Sequence, residues 1–166
     1  FNPKKLTLSN FKKLFEAGSP SNKNIHFGSR FIFHPDKFLY LTVGDRGDRD
    51  NAQKLSNNLG KVLRLTWQGK IPKGNPFKSA IWTYGHRNAQ GIDYDPITKK
   101  IYTIEHGPRG GDEINYIEKG KNYGWPIITY GKEYWGPSIG EGTKKKGLEQ
   151  PIHYYVPSIA PCGMIV

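Results

Sequence analysis

Short apolar runs, each ended by turn residues, recur along the whole chain. The runs are rich in β-branched and aromatic residues and are bounded by Gly, Pro, Asn and Asp, which is typical of strands. This pattern predicts strands over residues 30–33, 38–43, 61–66, 80–84, 91–94, 100–105 and 112–117. Helical periodicity is weak and predicts only two short helices, over residues 10–16 and 53–59. We therefore expect an all-β fold.

Two stretches of the sequence, residues 31–47 and 91–110, share one strand, proline turn, strand and glycine-loop pattern. Repeated four-stranded units of about 40–50 residues are typical of β-propeller blades. A single β-sandwich stays open as an alternative on this pattern alone. At that repeat length the chain holds about three blades, and a closed propeller typically needs at least four. Residues 1–166 are therefore predicted to form one partial β-propeller domain, open at both ends, as a fragment or as half of a ring closed by a second copy.

Composition narrows the class of protein further. The chain has 4 Trp, 10 Tyr and 8 Phe among 166 residues, which argues against disorder. No apolar run is long enough for a transmembrane helix. The net charge of +11 raises the question of nucleic-acid binding, but the lysines are scattered and no known nucleic-acid-binding motif is present, so no nucleic-acid partner is predicted. The single cysteine, Cys162, excludes an internal disulfide and a zinc site built from cysteines.

A histidine and an aspartate flank the first predicted hairpin. His26 precedes the strand over residues 30–33, and Asp45 follows the strand over residues 38–43. Because antiparallel neighbours place the start of one strand beside the end of the next, Asp45 can reach His26 and set its tautomer. A histidine with an orienting carboxylate is suited to accept a proton near neutral pH. The alternatives are a surface histidine in a turn and an aspartate in a charged loop.

The loop over residues 85–91 (GHRNAQG) places several polar side chains between two glycines. Arg87 can hold an oxyanion or a carboxylate with its forked guanidinium. Asn88 and Gln90 can each donate and accept hydrogen bonds. A loop that only joins strands does not need this set, so we expect it to bind a polar ligand, with a purely structural turn as the alternative.

Two further kinds of loop carry candidate chemistry. Residues 105–113 (EHGPRGGDE) combine carboxylates with a Gly-Pro backbone, a combination that suits a hard cation such as calcium. The alternative is a solvated charged loop, and zinc at His106 is not predicted because no companion ligand stands at metal spacing. The aromatic residues of loops 123–126 and 134–136 can stack on sugars and flat rings, although core packing is their usual role.

These phrases, taken in order, cover most of the chain. Together they resemble the soluble quinoprotein glucose dehydrogenases, and most closely their aldose sugar dehydrogenase branch. The phrases that carry the resemblance are HFGSR (26–30), YLTVGDRGDRDNAQ (40–53), GKVLRL (60–65), IPKGNPF (71–77), TYGHRNAQG (83–91), EHGPRGGDEIN (105–115), GKNYGWP (120–126), GPSIGEGT (136–143) and VPSIAP (156–161).

The resemblance implies a six-bladed β-propeller that binds pyrroloquinoline quinone (PQQ) and calcium. It implies oxidation of the anomeric carbon of an aldose to a lactone, with hydride transfer to the quinone, a separate electron acceptor, and a periplasmic or secreted location. It assigns His26 as the base, Asp45 as the residue that orients it, and Arg87 and Asn88 as quinone contacts, with Arg87 polarising the quinone's carbonyl oxygens.

The remaining implied roles concern ligands around the quinone. Calcium is expected at the backbone carbonyls of Gly107 and Pro108, and a second calcium ion at Glu113 and Tyr123. The other expected contacts are Tyr134, Trp135 and Gly136 with the cofactor, and Gln90 and Tyr155 with the substrate.

The sequence departs from the family pattern in two respects. The family's cofactor pocket also uses basic residues from later blades, and a substrate contact from an early blade, and neither is represented in residues 1–166. We therefore expect the chain to contain the base and about half of the residues that line the cofactor pocket. Two alternatives stay open: two copies could close one ring as a homodimer, or the chain could be a non-catalytic propeller piece that binds sugars or protein partners through the same loops.

Overall fold

Eight strands account for the regular structure in the part of the chain that the computed structural model describes, which is residues 4–5, 9–18 and 21–166. They are β1 (Gly28–Phe33), β2 (Phe38–Val43), β3 (Lys61–Thr66), β4 (Ile81–Tyr84), β5 (Ala89–Asp95), β6 (Lys100–Glu105), β7 (Asp112–Tyr116) and β8 (His153–Tyr155). They form two four-stranded antiparallel sheets, with the orders β1-β2-β3-β4 and β5-β6-β7-β8. Within each sheet, neighbouring strands are therefore consecutive along the chain.

The predicted strands agree closely with the observed ones. All seven are present, and their ends differ by at most two residues. Strand β8 was not predicted, because a run of three residues is too short to show alternation. It becomes a strand through its pairing with β7, in which Tyr155 lies opposite Asp112.

Both helix predictions are wrong. Residues 9–18 contain no helix, and residues 54–60 form turns, with only a short 3₁₀ helix (Arg49–Gln53) just before them. The first segment is short, and short helices are marginal unless tertiary packing supports them. In the second segment the side-chain oxygen of Asn57 accepts a hydrogen bond from the N–H of Leu59, and such local bonds compete with helix formation.

One hydrophobic cluster joins the two sheets. Its buried members are Tyr40, Val62, Ile92, Ile101, Ile117 and Tyr123. The edges at β1 and β5 are also tied together, because the side-chain oxygen of Asn88 accepts from the N–H of Gly28 at 3.1 Å. The loops that precede β1 and β5 therefore meet at the same end of the two sheets.

A buried lysine fastens the 3₁₀ helix to the first sheet. Lys61, the first residue of β3, is fully buried, and its ammonium group donates to the carbonyls of Asn51 at 2.8 Å, Ala52 at 3.1 Å and Leu59. No carboxylate is among these partners. Burial lowers the pKa of Lys61 to about 7.

Long connections enlarge the two sheet units. The repeat length led us to expect about three blades, whereas the described residues contain two four-stranded sheets. The segments 44–60 and 117–152 take up much of the remaining length, and they carry most of the candidate site. No helix in the described part of the chain has the length and apolar character needed to cross a membrane.

Candidate active site

His26 and Asp45 meet at the open end of the β1–β2 hairpin. Gly28 pairs with Val43 there, and the residues two positions beyond this pair face each other. The Nδ1 of His26 lies 2.6 Å from Oδ1 of Asp45. The Asp45 side chain is buried, whereas the His26 side chain is 17% exposed. With Nδ1 held by the carboxylate, Nε2 is the ring nitrogen that can accept a proton from a bound molecule.

The backbone fixes the position of His26. Its φ angle is 51°, in the left-handed region that a histidine seldom adopts. Its carbonyl packs so closely on Gly44 that a Cβ at residue 44 would lie 2.0 Å from the carbonyl oxygen. A glycine at position 44 is therefore required for His26 to lie beside Asp45.

Two more donors hold the carboxylate of Asp45. Trp125 donates its indole N–H to Oδ2 at 2.8 Å, and the N–H of Gly47 donates to Oδ1 at 2.7 Å. Burial of Asp45 favours the neutral acid. The hydrogen bond and positive charge of His26, together with the hydrogen bonds from Gly47 and Trp125, outweigh this effect and lower the pKa of the Asp45 carboxyl. Asp45 is therefore an anion at neutral pH and can stabilise a protonated His26.

Arg87 extends from the loop before β5 toward the loop after β6. Its Nη1 donates to the carbonyls of His106 at 3.0 Å and Gly107 at 2.7 Å. Its Nε is buried and has no hydrogen-bond partner. An unpaired buried donor is costly in a folded protein, and one on a guanidinium is suited to an anionic or carbonyl oxygen.

Glu105 holds the backbone of this loop in place. Its Oε2 accepts from the N–H of Arg87 at 2.6 Å and from the N–H of Asn88 at 3.3 Å. Its Oε1 lies 3.0 Å from Nδ1 of His86, which is fully buried. Glu105 therefore fixes the position of the Arg87 backbone, from which its side chain extends.

These side chains border one cleft of about 340 Å³, which we call the His26 cleft. It combines a histidine–aspartate pair, two arginines and several aromatic rings. Its lining includes His26, Asp45, Arg49, Arg87, Trp125, Tyr134 and Trp135. Arg49 pairs with Glu133 at 2.6 Å on one side of the cleft. Cations and exposed flat rings in one cleft suit a flat anionic ligand.

Four of the predicted contacts do not border the His26 cleft. Asn88 is buried, and its side-chain oxygen accepts from Gly28 and from Nε2 of Gln90, so it ties β1 to β5. Gln90 is engaged in that same bond. Tyr155 lies in β8, outside the cleft lining. Gly136 borders a second cleft, of about 620 Å³, which we call the Arg109 cleft.

Arg87 also borders a small cavity of about 10 Å³. Glu105, Gly107, Glu113 and Tyr123 contribute to its lining. Burial, together with the neighbouring carboxylate of Glu105, raises the pKa of Glu113. Two carboxylates that repel each other in a confined space favour a bound cation, and calcium accepts carboxylate and carbonyl oxygens alike. Groups of three or more His, Cys, Asp or Glu side chains in metal-binding arrangement do not occur among the residues described.

The predicted calcium carbonyls lie beside the same arginine. The Gly107 oxygen accepts from Arg87, so this oxygen already faces positive charge. Pro108 borders both the His26 cleft and the Arg109 cleft. A calcium ion bound to the Gly107 carbonyl would share this oxygen with the Arg87 guanidinium or displace the guanidinium from it.

Four residues of the site were not predicted. Trp125 was considered only as one of several aromatic loop residues, and Glu105 only as part of a charged loop. Arg49 and Glu133, which pair across the cleft, were not singled out at all. Arg49 and Trp125 lie within the sequence phrases that carry the family resemblance, and this position is the sequence signal that could have indicated a role in the site. The pairing of residues 84 positions apart along the chain has no sequence signal.

The two sheets and the polar cleft at their common end define an all-β protein of the kind found among sugar dehydrogenases. Residues 1–166 match the family described as glucose/sorbosone dehydrogenase. The chain belongs to this family, which confirms the resemblance inferred from the sequence.

Characterised relatives give the scale of the match. The chain is 42% identical to the aldose sugar dehydrogenase YliI of Escherichia coli, over 95% of this chain and 44% of that protein. The apo crystal structure of the soluble aldose sugar dehydrogenase of Escherichia coli superposes with a TM-score of 0.84 and 43% identity, over 87% of this chain and 44% of that one. The PQQ-bound aldose sugar dehydrogenase of Streptomyces coelicolor gives a TM-score of 0.69 and 36% identity, over 80% and 36% of the two chains.

These matches confirm the predicted fold class. The protein is all-β, its sheets are antiparallel, and its structural neighbours are β-propeller sugar dehydrogenases of which it covers about half. The chain spans less than half the length of the curated relatives described above.

Proposed function

We propose that this chain contributes to PQQ- and calcium-dependent oxidation of the anomeric carbon of aldoses to lactones. The observation that carries the proposal is the contact of His26 Nδ1 with Asp45 at 2.6 Å, at the border of the cleft that Arg87 also lines. The family supports sugar oxidation in general, and a relative in Streptomyces coelicolor binds PQQ.

The proton chemistry falls to His26. Its Nε2 accepts the proton of the anomeric hydroxyl while the C1–H bond breaks and the C1–O bond becomes a lactone carbonyl. PQQ, when bound, would supply the two-electron acceptor for the hydride that leaves C1. Asp45 stays ionised, holds the imidazole ring in the productive tautomer and stabilises the imidazolium that forms.

The cleft has donors that fit a flat quinone with carboxylate groups. Arg87 has a buried Nε without a partner, which suits a quinone carbonyl oxygen. Arg49 also lines the cleft, paired with Glu133, and Trp135 and Tyr134 add exposed rings for stacking. Contacts of Asn88 and Gly136 with the cofactor, and of Gln90 and Tyr155 with the sugar, are part of this proposal.

Calcium is proposed at two places. The carbonyl oxygens of Gly107 and Pro108 would hold one ion, whose positive charge would favour reduction of the bound cofactor. Glu113 and Tyr123 would contribute to the second, at the small buried cavity, where the repulsion between Glu105 and Glu113 favours a cation. The first ion would serve the chemistry, and the second would stabilise the loop that follows β6.

The test is a titration of the purified chain with PQQ, with and without calcium, followed by absorbance and heat. Calcium-dependent binding, then dye reduction with aldoses, is the expected result. Sugar binding without dye reduction in the PQQ-loaded protein would favour the alternative of a non-catalytic propeller piece. Absence of PQQ binding would contradict the proposal for this chain.

Three further properties belong to the same proposal. We place the protein in the periplasm or outside the cell, as the resemblance implies, with a separate electron acceptor that reoxidises the quinone. We also propose a homodimer, in which a second copy completes the cofactor site. Sedimentation velocity tests it, and a strict monomer at all concentrations would remove it.

A further inference from the structure

Two exposed cationic residues, Arg109 and Lys132, lie opposite each other beside the His26 cleft. The N–H of Arg109 donates to the carbonyl of Lys132 at 3.0 Å, and the N–H of Lys132 donates to the carbonyl of Arg109 at 3.2 Å. In such a reciprocal antiparallel pair both side chains project from the same face, close to each other. Like charges placed directly opposite each other are destabilising. The backbone therefore holds the starting points of two positively charged side chains close together.

The carboxylates near this pair are engaged elsewhere. Glu133, adjacent to Lys132 in sequence, forms its ion pair with Arg49 at 2.6 Å. Asp112 is fully buried and accepts hydrogen bonds from Ser158 and from backbone N–H groups. Within the described part of the chain, neither Arg109 nor Lys132 makes an ion pair or a side-chain hydrogen bond. The two positive charges are therefore uncompensated by the protein.

Both side chains line the Arg109 cleft. This cleft of about 620 Å³ shares the lining residues Pro108 and Tyr134 with the His26 cleft, so the two clefts adjoin. Tyr130, another lining residue, is stacked on Tyr154 with ring centroids 3.8 Å apart, which gives the cleft a rigid aromatic wall. Charges of one sign in a concave surface focus their field on it and attract the opposite charge.

We propose that Arg109 and Lys132 form an anion subsite, which binds the carboxylate or phosphate group of an acidic aldose. The anomeric end of that aldose would lie in the adjoining His26 cleft, and its ring would lie against the aromatic wall. The inference rests on the proposed function and names its substrate class. The oxidation step is unchanged, because the anionic group takes no part in it and the C1–H and O–H bonds break as for a neutral sugar.

Binding can be measured on the full chain without the cofactor. Isothermal titration with glucose 6-phosphate, glucuronate, glucose and inorganic phosphate would be compared for the wild type, Arg109→Gln, Lys132→Gln and the double variant. Lys144→Gln, at an exposed lysine of the same connection that lines neither cleft, is the matched control for loss of one charge. We expect the acidic aldoses to bind on the order of tenfold more tightly than glucose. That preference should weaken in each single variant, vanish in the double variant, persist in the control and fall with added salt.

Four outcomes would overturn the subsite. The first is equal binding of glucose and the acidic aldoses to the wild type, and the second is an unchanged preference for acidic aldoses in the double variant. The third is binding of inorganic phosphate as tight as that of glucose 6-phosphate. The fourth is a loss of PQQ affinity in the variants, measured by a separate PQQ titration, that is as large as their loss of affinity for the acidic aldoses. The last outcome would assign the two cations to the cofactor. Thermal melting checks the fold, and removal of a like-charge pair should leave the melting temperature unchanged or raise it.

The two proposals fail in distinguishable ways. If the PQQ-loaded chain oxidises no aldose while the binding preference and its loss in the double variant persist, the proposed function fails and the subsite remains. If glucose is oxidised but acidic aldoses have no advantage in binding or in kcat/KM, the subsite fails and the function remains.

Discussion

His26 and Asp45 lie 2.6 Å apart, Nδ1 to Oδ1, although 19 residues separate them along the chain. The β1–β2 hairpin brings them together, and Trp125, from a distant loop, donates to the second oxygen of the carboxylate. The pair therefore depends on both a local hairpin and a long-range contact.

Replacement of Asp45 by asparagine should reduce dye reduction with aldoses by roughly 10²-fold or more, the size of a typical general-base contribution. An amide carries no charge to stabilise a protonated His26, and it can present its N–H₂ to Nδ1 and select the wrong tautomer. The measurement is kcat and kcat/KM of the PQQ-loaded chain. Asp50→Asn, at an exposed position in the 3₁₀ helix, is the control. Comparable activity of the two variants would show that Asp45 does not orient the base.

Replacement of Arg87 by glutamine should weaken PQQ binding by about tenfold or more, because a charge-assisted donor at the cleft is lost. The measurement is an absorbance titration of the cofactor-free chain. Arg30→Gln provides the control, since Arg30 lies on β1 and is exposed outside the cleft. The melting temperature is recorded in parallel, because Arg87 also holds the carbonyls of His106 and Gly107. Equal PQQ affinities in both variants would remove Arg87 from the cofactor site.

Calcium should raise the melting temperature of the wild type, since an ion that binds only the folded state adds about 2.7 kcal/mol at 100 times its Kd. In Glu113→Gln this rise should be much smaller, because one carboxylate of the buried cavity is lost. Glu118→Gln, an exposed position, should respond to calcium as the wild type does. A calcium response that is the same in all three proteins would place the stabilising ion elsewhere.

Lys61 should make the unfolding free energy depend on pH. Its pKa is about 7 in the folded state, against 10.5 as the reference value, so between about pH 7 and pH 10 the unfolded chain binds more protons. The unfolding free energy should therefore rise with pH in this window, by at most about 1.4 kcal/mol per pH unit from this group. Below about pH 7 the full cost of the buried charge is present.

The comparison is urea unfolding of the wild type, Lys61→Met and Lys54→Met across this window. Lys61→Met should lose the extra slope, even though it also deprives the Leu59 carbonyl of its donor. Lys54→Met, an exposed lysine of the same segment, should keep the slope of the wild type. If all three proteins have parallel pH profiles, the Lys61 ammonium is not titrating in this window.

Local sequence patterns were enough to predict the strands and the His26–Asp45 half of the candidate site. Alternation and turn residues located seven of the eight strands, because each run carries its own pattern. The hairpin geometry placed His26 beside Asp45, because residues that flank paired strand ends must be neighbours. The predicted helices failed because local propensity was not supported by tertiary packing and lost to side-chain hydrogen bonds such as that of Asn57.

The sequence by itself determined the all-β class, the order of the strands and the residue types available at the loop ends. Only the tertiary structure decided which loops meet. It set the indole of Trp125 on Asp45, paired Arg49 with Glu133, turned Asn88 toward β1 and placed Arg109 opposite Lys132. These contacts join residues far apart in the chain. Their positions follow from how two sheets pack over a shared core, and no local pattern of residues encodes that packing.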